Sequence, residues 1–488
     1  MHNLFDTDVQ VQKNEVLTSV AKLAFEEKLD VFKMMDVSKE LIPTDSEPSI
    51  RCCIYKERAI LDEYVKLAAG GGPENKHIVN VIPIACDECP LDAMTVTDNC
   101  RGCLAHRCVN NCPRDAITFG PDHRAQIDPT LCIHCGRCAA SCPYSAIVRR
   151  KRPCIEACKA KALSSDTRTG RAVIDYEKCI SCGQCVYQCP FGAIMDKSFI
   201  TDAIQMILDS DNNTKFHVYA IVAPSIASQY DTLPNVKTEQ VVTGIRKLGF
   251  HAVLEAAWGG DMVALMESKE LVEKGFLTSS CCPGFVDYIH KNFPTIVPDI
   301  SHNLSPMAQL GKVIKEMDPG AKTVFIGPCI AKKNEMSWVQ EYVDAVITFE
   351  ELEALFNSKD IVLSELEETL LDNASYFGRI FARSGGLSEA VAQALKELNI
   401  TESEFKANPV ICNGLRECDV ALRRHLVGKL ENNFIEGMCC DGGCIGGPGC
   451  INHSPKDAHA VTNYGKTAIE QTIKSSVAVL DAFVREEK

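Results

Sequence analysis

The stretch FLTSSCCPGF, residues 276–285, sets two cysteines side by side, behind an apolar, β-branched approach and ahead of a proline. Neighbouring side chains on an extended chain point to opposite faces. Cys281 and Cys282 are therefore expected to do different jobs rather than share one tetrahedral ion or bridge to each other. Working outward, FHVYAIVAP (216–224) and TVFIGP (323–328) read as buried strands, QVVTGIRKLGF (240–250) as a helix, and EYVDAVITFEELEALF (341–356) as a strand running into a helix. This alternation over residues 214–488 predicts an α/β domain. In open α/β sheets, sites form just beyond the carboxyl ends of the strands. APS (223–225), TSSCCP (278–283) and GPC (327–329) all fall at such ends, so one cleft is expected to gather them.

Upstream, residues 81–200 carry sixteen of the 27 cysteines. Cys132, Cys135, Cys138 and Cys142, and again Cys179, Cys182, Cys185 and Cys189, follow C-x2-C-x2-C-x3-C-P. Cys100, Cys103, Cys108 and Cys112 repeat it with a longer middle gap. This is the bacterial ferredoxin pattern for 4Fe–4S clusters, whose fourth cysteine reaches a neighbouring cluster. Zinc is the rival, but structural zinc sites usually pair two separated C-x2-C knuckles. Two half-units remain, Cys86 with Cys89 and Cys154 with Cys158. Sixteen thiols at four per cube make four accessory clusters, giving a ferredoxin-like α+β iron–sulfur domain. The expected sets are Cys100, Cys103, Cys108 with Cys142; Cys132, Cys135, Cys138 with Cys112; Cys179, Cys182, Cys185 with Cys158; and Cys86, Cys89, Cys154 with Cys189. The alternative for the last set is that its thiols are free or structural. Such a chain of clusters conducts single electrons between a surface docking site and something buried.

Residues 1–80 read as a mainly helical segment. NEVLTSVAKLAFEEKLDVFK (14–33) is amphipathic, with Val16, Val20, Leu23 and Ala24 on one face, and ERAILDEYVKLAAGGG (57–72) is a second helix ended by glycines. Packing or partner docking is all this segment suggests. A formal net charge of −14 argues against a nucleic-acid binder. The N-terminus lacks a basic stretch followed by an apolar one, and no run of about 18 apolar residues occurs, so a cytoplasmic protein without a membrane span is expected.

TSSCCPGF (278–285), GPCIAKKNE (327–335) and EGMCCDGGCIGG (436–447) together resemble the three signature motifs of FeFe hydrogenases, TSCCP-x-W, MPC-x-x-K-x-x-E and E-x-M-x-C-x-x-G-C-x-x-G. The resemblance spans roughly residues 214–455 and implies a two-lobed catalytic domain around a cleft. It implies that Cys282, Cys329, Cys440 and Cys444 hold the 4Fe–4S half of an H-cluster, with Cys444 bridging to a diiron half. That half carries CO, cyanide and an azadithiolate, and is delivered by maturation proteins. By the same resemblance Lys332 donates to a cyanide and Glu335 orients it, while Pro224, Ser225 and Met438 line the diiron pocket. Cys281 matches the family's proton-relay cysteine, Glu267 and Glu270 its relay glutamates, and Ser305 its relay serine. A thiol of ordinary pKa about 8.5 can pass a proton without holding a stable charge.

The chain also departs from the pattern. An extra serine precedes the cysteine pair, Phe285 stands for the tryptophan, Gly327 replaces the methionine, and the third motif continues GGPGCINH. These changes resemble the branch often called group B, and the small residue at 327 is expected to loosen or rehydrate the diiron pocket. Cys52, Cys53, Cys412, Cys418, Cys439 and Cys450 receive no role. The resemblance implies an iron hydrogenase of an anaerobe, interconverting H2 with protons and electrons and exchanging the electrons with a ferredoxin or similar carrier. One alternative is an H2-sensing or regulatory relative with low turnover. Another is an iron–sulfur assembly relative, of a kind that keeps the cubane cysteines but tends to lose the lysine and the relay.

Overall fold

The computed structural model describes residues 4–48, 51–87, 89, 93–166 and 168–486, with side chains to 479. Three helices open the chain: α1 (Asp8–Phe25), α2 (Val31–Leu41) and α3 (Ile54–Ala68). The stretch expected as one helix over 14–33 is split. Glu27 takes φ 54°, and Asp30 starts α2 by accepting hydrogen bonds from the amides of Phe32 and Lys33. The buried face of α1 is Val16, Leu17, Val20 and Ala21, with Leu23 and Ala24 only half-buried.

The cysteine-rich stretch folds as four small antiparallel ribbons with one-turn helices between them. Its strands are β1 (Val79–Val81), β2 (Ala93–Val96), β3 (Ile117–Phe119), β4 (Ala125–Ile127), β5 (Ile147–Arg150), β6 (Leu163–Ser165), β7 (Ala172–Ile174) and β8 (Ile194–Asp196). The pairs are β1–β8, β2–β5, β3–β4 and β6–β7. The short helices α4 (Arg107–Asn110), α5 (Arg137–Ser141), α6 (Pro153–Ala157) and α7 (Gln184–Tyr187) each carry one cysteine of a run. The apolar core between these ribbons is small, chiefly Met94, Ile117, Ala125 and Ile147 around Cys138, so the thiols have a large share in organising it.

After α8 (Ile200–Asp209) the alternation expected from the sequence sets in. β9 (Val218–Val222), β10 (Ala252–Glu255), β12 (Lys322–Gly327) and β13 (Ala345–Thr348) form a parallel sheet in the order β10-β9-β12-β13. A second parallel sheet has the order β11-β15-β14, from β11 (Leu277–Thr278), β14 (Pro409–Asn413) and β15 (Phe434–Met438). Helices α9 (Thr238–Lys247), α10 (Ala256–Lys274), α11 (Pro283–Asn292), α12 (Pro306–Met317), α13 (Ala331–Glu335) and α14 (Phe349–Ser358) pack around the sheets. Further helices are α15 (Tyr376–Arg379), α16 (Gly386–Glu397), α17 (Leu415–Leu426), α18 (Asp457–Lys466) and α19 (Ile473–Glu486). The architecture is thus an α/β domain of two lobes, preceded by a ferredoxin-like α+β domain and a mainly helical segment.

A buried ion network joins the three parts. Lys13 of α1 lies 2.8 Å from Asp196 and 2.6 Å from Glu350; Lys333 of α13 lies 2.7 Å from the same Asp196 and 2.9 Å from Glu351. Burial alone would neutralise these groups, but the opposed charges outweigh it: both lysines are held above the ordinary range and Asp196 below it. Among the described residues no helix is long and apolar enough to cross a membrane.

Candidate metal centre

A cavity with ≈ 660 Å³ of empty space lies at the carboxyl ends of β9, β11, β12 and β15, between the two sheets. Pro224, Ser225, Cys281, Cys282, Cys329, Lys332, Met438 and Cys444 line it, joined by apolar groups that include Phe325 and Phe381. Eight residues singled out in the sequence therefore meet at one place. Cys281 and Cys282 also pack into different apolar clusters, Cys281 with Leu277 and Phe381, Cys282 with Phe285 and Cys439.

Cys440 is not in the cavity lining. It lies behind, with Cys329, Cys282 and Cys182 as its neighbouring thiols. Burial pushes Cys329 up to about 11 and Cys444 to about 12, each aided by the other cavity thiols. Cys282 goes the other way, to about 6, because the Cys439 thiol donates to it. Cys439 was given no role by the sequence. Gly443 takes φ +91°, and a Cβ there would meet the backbone of Arg383 and Ser384, so the Cys440–Cys444 loop can pass this close only with glycine.

Lys332 Nζ lies 2.7 Å from Glu335 and donates to Ser305 Oγ at 3.1 Å. Burial works against its charge, but Glu335 and the thiols Cys329 and Cys444 outweigh it. Two of the ammonium's three N–H groups are used, which leaves one for whatever fills the cavity. Ser225 Oγ is likewise buried there with no partner. A spare donor, an orphan hydroxyl, several thiols and otherwise apolar walls suit an anionic sulfur- and cyanide-bearing cofactor, and would leave those polar groups unsatisfied in a plain hydrophobic core.

Glu267 is fully buried on α10 and accepts hydrogen bonds from the Ser280 amide at 3.2 Å and hydroxyl at 3.3 Å. Its Oε2 has no partner, and burial lifts the carboxyl to about 7. Glu267 is in turn the charged group that weighs most on the Cys281 thiol, which burial pushes well up. One turn along α10, Glu270 accepts from Ser301 Oγ at 3.1 Å and Asn303 Nδ2 at 2.8 Å, and pairs with Lys274 at 2.8 Å. Burial pushes Glu270 up, but these partners bring it below its ordinary value. Ser301 also favours the ionised form of Glu267, so it lies near both carboxyls while donating to Glu270. Ser305, expected there, instead caps α12 by accepting from the Ala308 amide and receives Lys332. Ser301 was missed: ISHNLS (300–305) offers two serines, and only the bridge of Ile300 to Thr278 aims the first one at α10.

Fifteen of the sixteen upstream thiols fall into four neighbourhoods. Cys112, Cys132, Cys135 and Cys138 line one small cavity. Cys108 feels Cys142 and Cys103. Cys182, driven to about 12 by burial, neighbours Cys158 and Cys179, and Cys185 neighbours Cys182, Cys179 and Cys158. Cys154, also about 12 from burial, neighbours Cys189, Cys86 and Cys89. Among the described residues no three His, Cys, Asp or Glu side chains converge on one point as around a single ion. A cube instead presents four separate iron corners, one thiolate to each. Cys182 also feels Cys329, and Gln184 Nε2 reaches Cys440 Sγ at 3.5 Å, so the neighbourhood of Cys158, Cys179, Cys182 and Cys185 abuts the signature thiols.

Residues 216–448 match the family model for the iron only hydrogenase large subunit, C-terminal domain, and residues 99–146 and 124–190 match models of 4Fe-4S dicluster domains. Over residues 216–448 the chain is therefore similar to FeFe hydrogenases. It is 28% identical to iron hydrogenase 1 of Clostridium pasteurianum over 51% of this chain and 53% of that protein. It is also 28% identical to a probable cytosolic Fe-S cluster assembly factor of Aedes aegypti, over 49% of this chain and 62% of that one. A variant of the [FeFe]-hydrogenase HydA1 from Chlamydomonas reinhardtii superposes with a TM-score of 0.49 at 20% identity, covering 58% of this chain and 93% of that one. The chain spans little more than half the length of the curated relatives it matches.

Proposed function

We propose that this protein is an FeFe hydrogenase that interconverts H2 with two protons and two electrons. In this reading Cys282, Cys329, Cys440 and Cys444 hold the cubane half of the H-cluster, Cys444 bridges to the diiron half, and the cavity walls enclose that half. When bound, the cofactor supplies the centre at which protons, electrons and H2 are exchanged; the protein's part is to hold it, exclude water and move protons and electrons to it. Lys332, kept charged by Glu335 and steadied by Ser305, offers its remaining N–H to a cyanide.

Protons travel between solvent and the cavity through Glu270, Ser301, Glu267 and Cys281. Glu270 stays ionised at the outer end, where His302 and Lys274 surround it. Glu267, at about 7, takes up and releases a proton near neutrality. Cys281 remains a neutral thiol at the inner end. Electrons enter through up to four accessory clusters, the set of Cys179, Cys182, Cys185 and Cys158 lying nearest the cavity. Residues 99–152 hold nine Arg and Lys against three Asp in a chain of net charge −14, which favours an acidic carrier of the ferredoxin kind at that end.

The observation that carries this reading is the cavity that gathers Lys332, Cys281 and the signature thiols, with buried Glu267 acting on Cys281 and Glu270 one turn further along α10. The domains follow as residues 1–80, 81–200 and 214–488, a helical dock, a cluster relay and a catalytic unit. H2 evolution from reduced methyl viologen by protein co-expressed with the maturation proteins tests the reading. Turnover supports it, and its absence from protein with a full iron complement and diiron infrared bands favours the sensing alternative.

A further inference from the structure

Phe325 and Gly327 stand two apart on β12 and so share one face of the strand. A Cβ built on Gly327 would lie 2.5 Å from Phe325 Cε1, 2.7 Å from its Cζ and 3.1 Å from Ala223 Cβ. The ring therefore fills the volume that a side chain at 327 would claim. It is 3% exposed, lines the cavity, and its centroid lies 5.7 Å from Lys332 Nζ. The small residue at 327 therefore leaves no open space on this wall, because the Phe325 ring stands in it.

We infer that Phe325 is a positioning residue for Lys332, and that Phe325 and Gly327 form a compensating pair. The ring supplies the wall that position 327 gives up. Its π-face also steadies the ammonium, which lies 5.7 Å from the ring centroid, and keeps water from it. A methionine at 327, as in the common motif, requires the ring to leave. The two arrangements exclude each other within this backbone. The inference rests on Lys332 being the cavity's charged donor, but its steric half is independent of that.

The test begins with protein carrying its 4Fe–4S clusters but no diiron half, compared by thermal unfolding. Gly327→Met and Phe325→Ala are each expected to lower the midpoint, the first by overpacking and the second by a void. The double variant Phe325→Ala/Gly327→Met is expected to recover most of both losses. Additive losses, or a Gly327→Met protein as stable as the parent, overturn the pairing. The positioning half is read in crystal structures of the same diiron-free protein. Phe325→Leu keeps bulk without the π-face and is expected to release Lys332 Nζ from Ser305, with Phe325→Tyr restoring it; an unmoved ammonium in Phe325→Leu overturns it. In diiron-loaded protein Phe325→Leu is expected to shift a cyanide stretching band. Should Lys332→Met leave both cyanide bands in place, the reading of Lys332 fails, while the stability cycle still decides the ring.

Discussion

Gln184 of the cysteine-rich part and Cys440 of the α/β part meet directly: the amide nitrogen lies 3.5 Å from the thiol sulfur, and donates also to the Gly446 carbonyl at 3.2 Å. One side chain thus touches a sulfur of the buried site from the element, α7, that carries Cys185. Hydrogen bonds to cluster sulfurs favour the reduced, more negative form and so raise the potential. Gln184→Leu is expected to lower the midpoint potential of the cubane by tens of millivolts without loss of iron, read by an EPR-monitored redox titration of diiron-free protein. An unchanged potential would mean that the contact only packs the domains together.

The raised carboxyl of Glu267 gives a pH signature. Its folded value, about 7, lies above the ordinary 4.5 because burial penalises the charge. Its contribution to stability is therefore complete below about pH 4.5 and is lost as the pH rises through 7. Glu267→Gln removes that loss, so the variant should gain on the parent between pH 5 and 8, by about 3 kcal/mol at most, while proton delivery collapses. Asp261 is lifted to about 7 by burial too, so the difference between variant and parent, rather than the parent's own curve, is what urea unfolding at the two pH values must report. A difference independent of pH would contradict the assignment.

Ser301 and Ser305 should separate cleanly. Ser301→Ala breaks the link between Glu270 and Glu267 and is expected to lower turnover on the order of 100-fold with little effect on unfolding. Ser305→Ala removes the α12 cap, costs about 1 kcal/mol, and acts on the site only through Lys332. Steady-state H2 evolution and thermal unfolding of both variants check this, and equal effects on turnover would put Ser305 back in the relay.

Lys333, though adjacent to Lys332, belongs to the buried network with Asp196 and Glu351. Lys333→Met leaves Glu351 without its ion-pair partner away from water and Asp196 with Lys13 alone, and is expected to cost about 3–5 kcal/mol in chemical denaturation. The cyanide environment should not change. A loss below about 1 kcal/mol would mean that water or rearrangement satisfies the pair.

What the sequence made legible is what local spacing controls. The C-x2-C-x2-C runs, the strand–helix alternation and the thiols at strand ends needed only period and distance along the chain. Residues that act across elements were harder to read. Ser301 reaches Glu270 only because Ile300 docks on β11, and Gln184 meets Cys440 across 256 positions. Phe325 was within reach, since alternate residues on a strand share a face, but its meaning depends on how near Ala223 lies. The split between α1 and α2 was missed because the apolar period continues through a turn that Glu27 and Asp30 impose.

The central claim is that the cavity between the two sheets takes a diiron group carrying CO and cyanide, anchored through Cys444. Infrared spectroscopy of protein co-expressed with the hydrogenase maturation proteins reads those ligands directly. The account expects cyanide and CO stretching bands in the parent and none in Cys444→Ala of equal purity. A parent protein with its iron–sulfur clusters in place that shows no such bands, while a known hydrogenase matured alongside it does, would contradict it.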